Sequence, residues 1–322
     1  MIADGAVLRC GFSDARDERA YLEALNACFG HWGGRAMFDW CFARPGAGRA
    51  PEVLSLWLDG RVVAGSAISY RRVGLRGGTE LTAGIMTGAW TLPEARGAGA
   101  FTRLIRASRA QVSGHGTPLL LAFVTATNAS CRRLRSEGAE LLPTFYCRTD
   151  RATRPIDSGV SERPLDALDH REFQRDRGAT RFLYTADEWL AQFVHRPGDI
   201  RAFERPGVWQ AIVERTDAFD RVHALTASAT AWADAVDALT ARALAHGRNL
   251  FVFTTRTIEA DALRRRGFAV TDGFLTALAA DAALLSDALG VPRRSAEPYR
   301  LFGDPRSPWF LGQWALQNGD RM

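Results

Sequence analysis

The sequence predicts an α/β protein with a mixed sheet, repeated in tandem, and three observations carry that prediction. Between Leu81 and Ala139 two apolar runs are each followed by a helical pattern, the first across the glycine loop Arg96-Gly97-Ala98-Gly99. Ahead of them, strand-forming runs are joined by tight turns at Asp59-Gly60 and Arg76-Gly77-Gly78. In the second half, landmarks of the first return in the same order. Strand-then-helix units favour parallel neighbours and two-residue turns favour antiparallel hairpins, so the sheet is mixed.

In chain order, Tyr21, Leu22, Leu25 and Phe29 recur at helical spacing and predict an amphipathic helix over about residues 16–31, starting near Ser13 or Asp14. Met37 to Phe42 reads as a second helical piece, stopped by Arg44-Pro45-Gly46. Val53 to Leu58 and Val62 to Val73 form a hairpin about Asp59-Gly60. The strand from Leu81 to Thr91 is ended by Leu92-Pro93-Glu94, because proline cannot donate to a ladder. Phe101, Leu104 and Ile105 then mark a helix from about Ala100. Leu119 to Val124 is the next strand, and a helix from Ala129 to Ser136 closes at Gly138. Tyr146 to Asp150 is expected as an edge strand closing a first domain, residues 1–150. Residues 151–164, with Pro155, Gly159 and Pro164, read as a linker, and 165–322 as the second domain.

The repeat rests on two matches. Arg44-Pro45-Gly46, after an aromatic run, returns as Arg196-Pro197-Gly198, and Leu121–Ala139 aligns without gaps to Leu250–Phe268. The offsets are 152 and 129, so the second copy is 23 residues shorter between the landmarks. The missing part is where a glycine loop belongs; Ala231-Trp232-Ala233-Asp234 begins a helix there instead. Phe274 to Leu278 is expected as a further strand. The aromatic-rich tail from Val291, with Tyr299, Phe302, Trp309, Phe310 and Trp314, is expected to cover core, with a short helix or packed piece over Trp309–Leu316.

Composition narrows the function classes. A chain of 322 residues with 47% apolar content suits two globular domains with real cores. No apolar run approaches the roughly 20 residues a membrane span needs, and MIADGAVLRC has no charged-then-apolar leader. A cytoplasmic protein without a membrane partner is the expectation. The five cysteines match no metal-site spacing and their odd count argues against a disulfide framework, so reduced thiols and no metal are expected. Net charge is +5, all 41 basic residues are arginine, and they are interleaved with Asp and Glu rather than clustered with aromatics, which argues against nucleic acid.

The glycine loop is the chemical centre. A strand feeding a glycine loop at a helix N-terminus points free amides and the positive helix end at one place, which suits an anion. At these residues the chain resembles the GNAT superfamily of acyl-CoA-dependent N-acyltransferases. The family's loop, Arg/Gln-x-x-Gly-x-Gly/Ala, is matched by Arg96 and Gly99; Phe101 stands where a small residue is usual, and Ala98-Gly99-Ala100-Phe101-Thr102 is closer to a Gly-x-Phe-Thr branch. Asn128, Ser130 and Gly138 fit the later family pattern, while Leu134 stands at its tyrosine and Ala139 at its phenylalanine. The resemblance covers roughly residues 20–150.

It implies two GNAT-like domains, the second divergent and shaping an acceptor cleft, with acetyl-CoA or another acyl-CoA as co-substrate and a small-molecule amine as acceptor. The implied cofactor-binding residues are Trp90, Thr91, Arg96, Gly97, Ala98, Gly99, Ala100, Phe101, Thr102 and Asn128. Asn128 is also placed to cap the following helix. The family's proton donor is a tyrosine, which Leu134 cannot replace; Tyr146 is the candidate substitute and Glu80 the candidate base, directly or through water, each with a plain alternative as core hydroxyl and turn carboxylate. A terminal carboxylate at Met322 entering the site is a further possibility. Rival functions are a non-catalytic acyl-CoA sensor, which Leu134 favours, and acyl transfer to another acceptor or from a carrier protein.

Overall fold

The computed structural model describes residues 5–76, 78–149, 159–174, 178–291 and 314–321. Residues 151–158, most of the tail after Val291, and Met322 lie outside them, and with them the expectations for the first part of the linker, for Tyr299, Phe302, Trp309 and Phe310, and for the terminal carboxylate. The chain divides into two compact units, each taking in chain from beyond a simple midpoint: one holds the described residues up to Leu142 with 274–291, the other those of 143–273 with 314–321. This differs from a linear division at residue 150.

The first unit opens with β1 (Val7–Cys10), α1 (Ala15–Phe29) and α2 (Arg35–Phe42). Asp14 caps α1, its carboxylate accepting from the amides of Arg16 at 2.8 Å and Asp17 at 2.9 Å. Then come β2 (Glu52–Leu58), β3 (Arg61–Gly74) and β4 (Glu80–Thr91). Asp59 and Gly60 turn between β2 and β3 at φ 50° and 76°, the twist a tight hairpin needs. α3 (Ala100–Gly114), β5 (Leu119–Thr125) and α4 (Ala129–Ser136) follow. β1 to β4 pair antiparallel in order, and β4 pairs β5 in parallel.

Each face of this sheet has its own cover. Leu104, Ile105 and Val112 of α3 and Cys131 and Leu134 of α4 pack with Ile68, Met86, Leu120 and Val124 in one core. On the other face Tyr21 of α1 packs edge-on to Phe38 and Phe42 of α2 and to Trp90 of β4. Pairs of this kind contribute about 0.5–1.5 kcal/mol beyond the area they bury.

β6 (Glu140–Thr149) leaves the first unit after Leu142. The expected edge strand at Tyr146–Asp150 is corrected here: residues 143–149 belong to the second unit, where Phe145 to Arg148 pair antiparallel with Thr254 to Phe251. The burial of Phe145, Tyr146 and Cys147 in succession is that of an interior strand covered on both faces, and it pushes the Cys147 thiol up to about 12. The second unit continues with β7 (Ser161–Arg163), which pairs with a later strand and so makes the end of the expected linker part of a sheet. α5 (His170–Phe173), β8 (Arg181–Leu183) and α6 (Ala186–Trp189) precede β9 (Asp199–Arg205), β10 (Trp209–Arg215), β11 (Phe219–Ala227), α7 (Trp232–Ala245), β12 (Asn249–Thr254), α8 (Thr257–Arg265), β13 (Phe268–Ala279) and α9 (Ala282–Leu289). β9, β10 and β11 are antiparallel and β11 runs parallel to β12. From β9 to α8 the second unit therefore repeats the order of β2 to α4. Of the piece expected over Trp309–Leu316 the described residues 314–316 are not helical, and Thr180 bridges Trp314 in parallel.

One buried polar cluster in this unit is made pH-sensitive by its geometry. The Nδ1 of His223 accepts from the Asn318 side-chain amide at 3.0 Å and faces an Arg196 guanidinium nitrogen at 3.3 Å. Both are donors, so Nδ1 carries no proton, and Nε2–H donates to Glu214 at 2.9 Å. Burial pushes the His223 pKa down to about 4, against the pull of Glu214 and with the help of Arg196 and Arg221. Burial raises Glu214, but the His223 hydrogen bond and the nearby charges bring it below the usual carboxylate range. Between pH 6.5 and about 4 the unfolded histidine binds a proton and the folded one does not, so stability falls as pH falls, by up to about 3 kcal/mol. Thermal melts from pH 7.5 to 4.5 should show that loss, and His223→Gln should flatten it.

Candidate functional site

The site is built where β4 parts from β5. The parallel ladder runs from Ala83–Leu119 to Met86–Ala122 and ends there. Immediately beyond, the register of β4 against β3 slips: Ala67 faces Thr87 and Gly65 faces Trp90, so Gly88 and Ala89 together oppose Ser66. This is a β-bulge, and Gly88 sits in it at φ 56°. A glycine inside a strand pattern was the sequence signal for it.

Beyond Thr91 the chain makes a short turn over Pro93–Ala95 and reaches the glycine loop. Gly97 and Gly99 have φ 77° and 81°, and a Cβ on either would meet nothing within 4 Å. Their conformation, not crowding, demands glycine, and the space before the loop is open. Gly99 caps α3 without a side chain, and the first turn of α3 carries no acidic residue. The first amide of α3 to find a carbonyl is that of Arg103, which bonds Gly99 at 3.1 Å. The amides of residues 97–102 have no acceptor among the described residues. Six successive donors, the positive end of a 15-residue helix and an open approach suit a phosphate group.

The other expected site residues fall in three places. Trp90 is buried, its ring against Tyr21 at 5.3 Å. The carbonyl of Thr91 accepts from Arg96 Nε at 3.2 Å and from the Cys28 thiol at 3.6 Å, so Arg96 folds back toward the strand end. Asn128 is exposed and caps α4, accepting from the amide of Ser130 at 3.0 Å. Trp90, Thr91, the loop and Asn128 thus gather at the ends of β4 and β5. Glu80 does not join them: it is the first residue of β4, at the opposite end of that strand from Thr91. Tyr146 lies in the second unit, buried, its ring 5.5 Å from Phe253 and under the Arg321 guanidinium at 4.4 Å. Leu134 is buried in the core under α4.

The second unit repeats the parting of strands but fills it differently. β11 and β12 pair only from Phe219–Asn249 to Arg221–Phe251. Past that point the C-terminal residues enter: Thr255 Oγ1 donates to the Trp314 carbonyl at 2.6 Å, and the Leu225 amide donates to Gln317 Oε1 at 2.8 Å. A cavity of about 430 Å³ remains, lined by Val222–Ala229, Val252–Arg256 and Ala315–Asn318 among others. At the start of α7 the amides of Ala231 and Trp232 bond the Ser228 carbonyl at 3.0 and 2.9 Å. No glycine loop stands there: Ser228-Ala229-Thr230-Ala231 precede the helix.

A parallel pair that parts and opens onto a glycine-capped helix leaves backbone donors at one end of the sheet, an arrangement suited to an anionic group. Residues 13–133 match the profile of the acetyltransferase (GNAT) domain family. No curated protein sequence matches the chain significantly. Among solved structures, it is similar to a GCN5-related N-acetyltransferase from Kribbella flavida, at 17% identity over 89% of this chain and 74% of that one, TM-score 0.61. It is also similar to one from Anabaena variabilis, at 14% identity over 88% and 75%, TM-score 0.62. An N-myristoyltransferase from Saccharomyces cerevisiae, solved with bound myristoyl-CoA, aligns at 11% identity over 85% and 80%, TM-score 0.64. At such identities the likeness to these structures is one of fold. The chain carries a GNAT domain over residues 13–133 and is an acyl-CoA-dependent acyltransferase, with acetyl-CoA or another acyl-CoA as co-substrate.

Because Asn128 holds the first turn of α4, Asn128→Ala should lower stability by about 0.5–2 kcal/mol. Thermal denaturation reads that loss directly.

Proposed function

We propose that the protein transfers an acetyl or similarly short acyl group from acyl-CoA to the amine of a small molecule, and that the first unit alone holds the cofactor. The observation that carries this reading is the run of unsatisfied amides from Gly97 to Thr102 at the head of α3. Those amides receive the pyrophosphate. The pantetheine arm lies along Thr87–Thr91 of β4 and bonds its backbone, and Asn128 stands at the far wall while capping α4.

The reaction follows from that placement. The amine attacks the thioester carbonyl, and a backbone N–H of the bulged strand donates a hydrogen bond to the developing oxyanion. The C–S bond breaks, the thiolate leaves with CoA, and the ammonium proton passes to solvent or to that thiolate. Positioning two bound reactants supplies most of the acceleration. Leu134 offers no proton donor, and a thiolate is a fair leaving group without one. Glu80 is too distant along β4 to serve as base.

A second reading, acyl-CoA binding without turnover, is favoured by Leu134 at the family's tyrosine position. Release of free thiol from acetyl-CoA over a panel of amines separates the two. Gly99→Asp should weaken CoA binding at least tenfold by calorimetry, since it sets a carboxylate into a phosphate cradle at a positive φ. Unchanged affinity would remove the loop from the site.

A further inference from the structure

The bulge in β4 brings one aromatic ring against the point where the two strands part. A Cβ on Gly88 would lie 2.7 Å from Cζ and 3.0 Å from Cε1 of Phe42, so this ring rests on the strand backbone itself. Phe42 is held there on its other sides. Trp32 stacks on it at 5.3 Å with the planes 12° apart, Phe38 meets it edge-on at 5.1 Å, and Tyr21 at 6.3 Å. The ring is 5% exposed and is the last residue of α2.

Pyrophosphate bound at Gly97–Thr102 sends the pantetheine arm back along β4, toward the end of the ladder at Met86 and Ala122. The thioester then arrives beside Gly88. On the α3–α4 face the way is closed by Leu104, Val124, Cys131 and Leu134, all buried in one core. The acyl chain therefore turns to the opposite face, where it meets Phe42.

We infer that Phe42, seated on the Gly88 bulge, sets the length of acyl chain that the enzyme accepts. This rests on the proposed cofactor placement. With the ring in place an acetyl group fits beside the strand and each further methylene runs into it. Phe42 acts by its shape alone, so its removal changes donor choice while leaving the phosphate cradle untouched.

The test measures kcat/KM for acetyl-, butyryl- and hexanoyl-CoA in the full chain, with calorimetry of CoA itself alongside. In the wild type the acetyl donor should lead. Phe42→Ala should raise the ratio of hexanoyl to acetyl at least tenfold, within the 10–200-fold that a methylene in an apolar pocket decides, with CoA affinity unchanged. Phe42→Leu should give a smaller shift in the same direction, and it carries the test if the alanine variant fails to fold. Unaltered donor ratios in a folded variant that still binds CoA would overturn the inference and leave the cofactor placement standing. Loss of CoA binding by the wild type would overturn both.

Discussion

The structure of the first unit depends on a single break: β4 stops pairing with β5 at Met86 and Ala122. A parallel pair buried between helix layers ordinarily continues until one strand ends, because unpaired backbone polar groups inside a protein cost free energy. Here β4 runs on for five more residues while its partner diverges. The bulge at Gly88–Ala89 supplies the local bend, and pairing with β3 on its other side resumes at Trp90 and keeps the strand ordered. The glycine loop then extends the run of available donors to the head of α3. An acyl-CoA arm is a ligand whose amides and phosphates match what such a break leaves open.

The second unit shows the same break used otherwise. Its strands part after Arg221 and Phe251, but C-terminal residues enter the opening and the Ser228 carbonyl accepts from the amides of Ala231 and Trp232 where α7 begins. The buried His223 is tied into that arrangement through Asn318, so the tail and the strand share one polar cluster. The glycine loop is what one unit has and the other lacks. The divergence is legible at residue level: Arg96-Gly97-Ala98-Gly99 in one copy, Ser228-Ala229-Thr230-Ala231 in the other.

Much of the fold was legible because local rules and burial agree. The helix expected to start near Ser13 or Asp14 is capped by Asp14, Asp59-Gly60 reads as a hairpin and turns as one, and α4 runs over Ala129–Ser136, where Gly138 marks its end in the sequence. The strand around Tyr146 was expected at an edge because its sequence does not show that Phe145–Arg148 pair with Phe251–Thr254, more than a hundred positions on. Glu80 misled because proximity to a strand in sequence is not proximity to its far end. The roles of Gly88 and Phe42 were not legible: α2 and β4 are 46 positions apart at these residues, and only folding sets the ring on the bulge.

The central claim is that the amides of residues 97–102 are donors waiting for a cofactor phosphate. Amide hydrogen exchange with and without CoA measures those groups themselves. Strong added protection is expected over Gly97–Thr102, weaker protection along Thr87–Thr91, and none at Ser228–Trp232. Protection at Ser228–Trp232 instead, or no change at the glycine loop with CoA saturating, would contradict it.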